Sequence, residues 1–201
     1  MTPPQMQPQA RCLTFGLALL LASGAALAHE AHGVAGGLAS GFTHPFAGLD
    51  HMVAMVAVGL WGAFLGAPAL WLLPVVFPLV MALGAAMGII GVALPAVEAG
   101  IALSGVVLGL LVALAVRAPL GVAAVIVGLF AVFHGHAHGT ELPEAVSPYG
   151  YAAGFVVATG LLHLAGIAIG GLTKTREGTW AVRAAGVAIA AVGAAFLSGI
   201  A

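Results

Sequence analysis

Charged side chains are nearly missing from this sequence. Five Lys plus Arg and six Asp plus Glu serve 201 residues, where an ordinary soluble domain devotes about a quarter of its residues to charge. Apolar residues make up 62%, and the mean hydropathy is +1.18. Such a chain cannot cover a folded surface with groups that water solvates. Nor does it fit a disordered chain, which needs low hydrophobicity and high charge. A polytopic membrane protein remains. Each ionisable residue kept against that background is informative, and eight His beside five Lys plus Arg is the least ordinary ratio in the chain.

The same scarcity excludes several functions. A net charge of −1 provides no basic surface for nucleic acid. Cys12 stands alone, so there is no internal disulfide and no zinc site built on cysteine pairs. Lys174, the one lysine, sits in Gly-Leu-Thr-Lys and not in a phosphate-binding loop, so the chain carries no ATPase of its own. It is not read as an enzyme, and no organic cofactor is expected.

The N-terminus reads as an address. Arg11 precedes a short apolar run, Leu13 to Leu21, and Ala26-Leu27-Ala28 offers a small-x-small cleavage site. Residues 1–28 are thus expected to be a signal peptide, and 29–201 the mature transmembrane domain. Cleavage would leave His29 as a free terminus, whose amine and imidazole can chelate one metal, with Glu30 and His32 beside it.

The remainder divides into six apolar stretches of bilayer-crossing length, near 45–66, 68–94, 96–116, 120–138, 149–172 and 180–201. Their continuous Ala/Leu/Gly character predicts an all-α six-helix transmembrane bundle, since barrel strands would alternate. Glycines four apart, namely Gly62/Gly66, Gly84/Gly88, Gly105/Gly109, Gly150/Gly154 and Gly166/Gly170, suit close helix packing in lipid. A cleaved leader starts the mature chain outside. Arg117, Lys174, Arg176 and Arg183 then all fall on the inner side, as the positive-inside rule requires. The expected location is a bacterial inner membrane, with both mature termini in the periplasm.

In that topology the histidines gather at the outer mouth. His44, Asp50 and His51 lie at the outer end of the first span, with His44 and His51 read as sharing one helix face two turns apart and Pro45 as a helix start. Met55 follows His51 by one turn. His134 and His138 are one turn apart at the end of the fourth span, followed by Glu141, while His136 points away from their stripe. His163 alone is deep, and Glu98 and Glu144 read as solvated loop carboxylates. Ionisable groups in a membrane are costly and usually mark a transport path or a bound ion. Imidazole with carboxylate suits nickel, cobalt, zinc or copper and suits magnesium or calcium poorly.

Two segments resemble a known family. The segment His44 to Trp61, which opens His44-Pro45-Phe46-Ala47-Gly48-Leu49-Asp50-His51-Met52-Val53-Ala54-Met55, is similar to the first-helix signature of the HupE/UreJ family, and Phe133-His134-Gly135-His136-Ala137-His138-Gly139-Thr140-Glu141 to its second signature. Leu161-Leu162-His163-Leu164-Ala165-Gly166-Ile167 resembles its fifth helix. The resemblance implies a hydrogenase or urease accessory protein that acts as a secondary nickel or cobalt permease. Its substrate would be the metal ion, and its partners membrane lipid and downstream nickel-handling proteins. By motif position it implies functional roles for His44, Asp50, His51, His134, His138 and Glu141. His136 falls at a variable motif position. His29, His32, His136, His163 and Met55 are secondary metal candidates.

Other classes fit parts of the pattern. A membrane metal scavenger without transport would use the same ligands. A haem cytochrome could use His51, His134, His138 and His163, although ligands bunched with carboxylates at one surface suit haem badly. A Ser104–His163 pair invites an intramembrane protease, provided the two side chains meet.

Overall fold

The computed structural model describes residues 33–142 and 147–200. The expected leader, Cys12, His29, His32 and Glu144 lie outside these residues. Among the described residues every regular element is helical. The helices are α1 (Gly33–Ala47), α2 (Leu49–Leu65), α3 (Ala69–Ile89), α4 (Val97–Ala113), α5 (Leu120–Thr140), α6 (Pro148–Gly170) and α7 (Arg176–Leu197). A short 3-10 turn, Gly171–Lys174, joins α6 to α7.

Helices are what this composition allows. An apolar run in lipid must satisfy its backbone internally, and an α-helix does so within one segment. α3, α5, α7 and α6 with its 3-10 extension are each long and apolar enough to cross a membrane, and α1 and α2 together make a fifth candidate span. α4, at 17 residues, is shorter. Large apolar side chains such as Trp71, Leu79, Leu83, Val125 and Leu129 cover the outside of the bundle. Exposed apolar surface on this scale marks contact with lipid, and the chain is a multi-pass membrane protein.

The start of the first expected span is corrected. The chain does not run as one helix from Pro45. Instead α1 and α2 meet at 86°, and Pro45 lies inside the last turn of α1. His44 and His51 therefore sit on different helices and share no helix face. Gly48 makes the bend. It caps α2 in an extended conformation, φ −107° and ψ 115°. A Cβ there would stand 2.9 Å from Asp50 Oδ1 and 3.1 Å from His51 Nδ1. A side chain there would crowd the Asp50–His51 pair that folds back over the turn.

Small residues then bring helices into backbone contact. Gly84 and Gly88 on α3 face the α5 backbone at Val132 and His136, and Gly135 and Gly139 on α5 face Met81 and Ala85 in return. Gly59 on α2 and Gly166 on α6 interlock in the same way, against His163 and Val56. Gly37 and Gly41 seat α1 on the start of α6, at Ser147 and Tyr151. Gly105 and Gly109 do the same between α4 and α7. Gly66 differs from the spacing-based expectation. It has open space around it and φ +79°, so it ends α2 as a turn and does not pack a seam.

The bundle has two unlike ends. Arg117 stacks over Phe64 at 5.5 Å, and Trp61 donates its indole N–H to the Val116 carbonyl at 3.0 Å. Arg183 donates to the Ala113 carbonyl at 2.7 Å and covers Trp180 at 4.7 Å. All the described basic residues other than histidine thus belong to the end where α2, α4 and α6 finish. Asp50, Glu98, Glu141 and every described histidine but the deeper His163 belong to the other end, while Glu177 stands with the basic residues in the first turn of α7. Trp61, Phe77, Met55, Leu60 and Leu73 are fully buried in the core.

Candidate metal centre

Three helices bring the site together. α1 contributes His44 from its last turn, α2 contributes Asp50 and His51 from its first, and α5 contributes His134 and His138. Glu141 caps the C-terminus of α5 and is exposed. The α1–α2 bend returns His44 toward the end of α5, which one straight helix would not do. His44 Nε2 lies 3.5 Å from Glu141 Oε2, and the His44 and His138 rings stand edge to face at 4.8 Å. One ligand atom each from His44, His138 and Glu141 can be drawn within 4.8 Å of one another. Two neutral imidazoles and a carboxylate suit a borderline divalent ion, the carboxylate offsetting part of its charge.

A second group lies just beneath. The His51 ring centroid is 4.8 Å from that of His138 and 4.9 Å from that of His134. Asp50 is buried. Its Oδ1 accepts the His51 backbone N–H at 2.9 Å and lies 3.0 Å from His51 Nδ1. A carboxylate at Nδ1 keeps the proton there and leaves Nε2 as a bare donor atom, the arrangement commonly found behind a metal-bound histidine. Nε2 of His51 is buried with no partner among the described residues.

His134 is prepared in the mirror sense. Ser104 Oγ is 2.6 Å from the Ile101 carbonyl and 2.9 Å from His134 Nε2. The hydroxyl has one proton, and the carbonyl can only accept. Both contacts are hydrogen bonds only when Ser104 donates to Ile101 and His134 donates Nε2–H to Ser104. Nδ1 of His134 is then bare, and it too is buried without a partner among the described residues. Both ring nitrogens of His138 are equally unpartnered there. Buried polar atoms are normally satisfied, so four orphaned imidazole nitrogens in one cluster need an occupant or a role.

An aromatic wall closes the cluster. Phe155 on α6 lies 4.3 Å from the His138 ring, Tyr151 lies 5.7 Å from His44, and Phe77 on α3 lies 5.5 Å from His134. Neither this wall nor the pairing of Ser104 with His134 is legible from sequence, because aromatic residues and a lone serine are ordinary in apolar helices.

The other candidates are elsewhere. His136 donates from Nε2 to the Val92 carbonyl at 2.7 Å and so pins the segment after α3. Met55 is fully buried in the apolar core. His163 is deep on α6, 1% exposed. Ser104 bonds to His134, and His163 has no hydrogen-bond partner among the described residues, so the protease pair does not form. Glu98 is exposed and, with Asp50, Phe196 and Leu197, lines an open cavity of about 500 Å³ at the histidine end.

An apolar helical bundle with a histidine–carboxylate cluster at one end defines a multi-pass membrane protein with a candidate metal site. Comparison with known proteins gives the family: residues 17–196 match the HupE / UreJ protein profile, and the chain belongs to that family. It is 50% identical over 174 residues to Protein HupE of Rhizobium leguminosarum bv. viciae, covering 86% of this chain and 91% of that relative. The family is one of transport and accessory proteins, not of enzymes. No solved structure matches the chain.

Proposed function

We propose that this protein is a secondary, ATP-independent permease that carries a divalent transition metal, nickel foremost and cobalt next, from periplasm to cytoplasm, supplying nickel enzymes such as hydrogenase or urease. The observation that carries this reading is the meeting of His44, His138 and Glu141 from two separate helices at one end of a membrane bundle. Ionisable groups gathered in an apolar bundle are costly to keep unless they handle an ion. His44, Asp50, His51, His134, His138 and Glu141 are the proposed metal residues. Glu141 and His44 receive the ion at the mouth, His138 passes it inward, and His51 and His134 hold it with bare nitrogens. Asp50 acts by orienting His51. In this reading His136 is structural, and His29 and His32 are a first point of capture.

The proposed topology has six spans after removal of residues 1–28. The α1–α2 pair forms the first span, with α1 lying across the mouth. α4 is short, about 25 Å at 1.5 Å per residue, against a hydrocarbon core of about 30 Å, so the membrane thins or its flanking residues extend it. Arg117, Lys174, Arg176 and Arg183 mark the cytoplasmic end, which leaves both mature termini in the periplasm of an inner-membrane protein. Partners are lipid and cytoplasmic nickel-handling proteins.

The test is nickel uptake by liposomes that contain the purified protein and an entrapped chelating dye. Uptake by the wild type and its loss in His51→Ala are expected. Nickel binding without uptake would make the protein a scavenger. Unchanged uptake in His51→Ala would remove His51 from the path.

A further inference from the structure

One face of α6 continues inward from the metal cluster. Phe155, Thr159 and His163 follow at one-turn intervals and all point into the bundle, at 4%, 0% and 1% exposure. Phe155 packs on His138. The two residues below it are polar and unsatisfied: Thr159 Oγ1 and both ring nitrogens of His163 are buried without hydrogen-bond partners among the described residues. A helical threonine can ordinarily bond back to its own preceding turn, and a neutral imidazole carries an N–H that is expensive to leave unpaired. Two such groups stacked on one face are not explained by packing.

α3 supplies a third group opposite them. Pro78 has no N–H, so the Pro74 carbonyl one turn earlier lacks its helical partner. That carbonyl lies near the His163 ring without forming a hydrogen bond to it. Between these groups and the outer cluster stands Phe77, fully buried, 5.5 Å from the His134 ring and 5.4 Å from the His163 ring. Gly59 on α2 abuts the His163 backbone. Eight residues separate it from His51, so His163 is about 12 Å further along the bundle at 1.5 Å per residue.

We propose that His163, Thr159 and the Pro74 carbonyl form an inner cation station, the next stop for the divalent metal after the His51/His134 group, with the Phe77 ring as the barrier between the two. The proposal rests on the permease reading. The station is neutral: it offers an imidazole nitrogen, a hydroxyl and a carbonyl oxygen, with no carboxylate. It therefore holds a dication more weakly than the mouth does, as an inner stop must if the ion is to leave. The mouth captures with charge, and the inner station relays without it.

The experiment uses the full-length protein, with nickel ion as the probe, and measures two quantities on the same preparations: equilibrium nickel binding in detergent and nickel uptake into liposomes. The variants are His163→Leu and His163→Gln, the second keeping a polar group of similar reach. The expected result is unchanged high-affinity binding in both, because the mouth is about 12 Å away. Uptake should fall about tenfold or more, the scale of losing one metal contact, with His163→Gln less impaired than His163→Leu. Uptake within about twofold of the wild type in either variant overturns the proposal. So does joint loss of binding and uptake in both, which would make His163 a packing residue. Wild-type protein that binds nickel but never transports it fails the permease reading itself, and is distinguished from either result by its own baseline.

Discussion

Asp50 and His51 are neighbours in sequence that bond to each other just after the α1–α2 bend: Asp50 Oδ1 lies 3.0 Å from His51 Nδ1 and accepts the His51 backbone N–H at 2.9 Å. Adjacent residues on a straight helix diverge by about 100°, a consequence of 3.6 residues per turn. They meet here because both stand in the first turn of α2, where Gly48 leaves room for the side chains. Asp50→Asn keeps the volume but can present an amide N–H to Nδ1, which turns the His51 tautomer. Nickel affinity, read by equilibrium dialysis, is expected to drop about 10–100-fold. Equal affinity in this variant would leave Asp50 with no part in preparing His51.

Ser104→Ala tests the other prepared imidazole. It removes the acceptor of the His134 Nε2–H in a fully buried place, a cost of about 1–3 kcal/mol for the unpaired group. The ring is then free to move its proton to Nδ1, the nitrogen proposed to face the metal. Nitrogen-15 NMR of labelled histidine should show His134 as the Nε2–H form in the wild type and as a mixture in the variant, with weaker nickel binding. A single unchanged tautomer would mean that Ser104 does not set it.

The α3–α5 seam predicts a stability contrast among glycines. A Cβ at Gly135 would fall on the Met81 backbone, and one at Gly139 on that of Ala85. Gly121, on the same helix, has nothing within 4 Å. Gly135→Ala and Gly139→Ala should lower the thermal unfolding temperature in detergent sharply, since backbone must shift. Gly121→Ala should be neutral or gain up to about 1 kcal/mol from helix propensity. Equal effects at all three would contradict the close α3–α5 packing.

His136→Ala separates structure from metal handling within one motif. The side chain holds the Val92 carbonyl at 2.7 Å and touches none of the other histidine rings that cluster. Its loss should destabilise the protein by about 1 kcal/mol, the usual worth of such a bond, with nickel affinity unchanged. A fall in affinity comparable with that of His138→Ala would return His136 to the ligand set.

What the sequence disclosed followed from polarity. In a chain this apolar, His44, Asp50, His51, His134, His138 and Glu141 stood out without any knowledge of the fold, and the four basic residues grouped at the opposite end as the charge pattern implied. Helix existence was equally legible from run length, with boundaries within a few residues for α4, α5 and α6. The bend at Gly48 was not. His44-Pro45 looks like a helix start, and Gly33 to Thr43 is too rich in Gly, Ala and Ser to register as a span. That segment is helical because Gly37 and Gly41 let it lie directly on α6, a tertiary reason that no local pattern carries. Ser104 stood out in the sequence only as a partner for His163, not for His134, and Thr159 not at all, because a hydroxyl in an apolar helix usually bonds its own backbone. Their importance lies in the partner that one has across helices and the partner that the other lacks.

A single shared centre, assembled from α1 and α5, is tested most directly by a double-mutant cycle on nickel affinity with His44→Ala, His138→Ala and both together. If the two imidazoles bind one ion, each single change should weaken binding about tenfold or more, and the double variant should lose clearly less than the product of the two, since one missing ligand already opens the site. Strictly multiplicative losses, or a wild type that binds two independent ions of which each variant removes one, would contradict a common site.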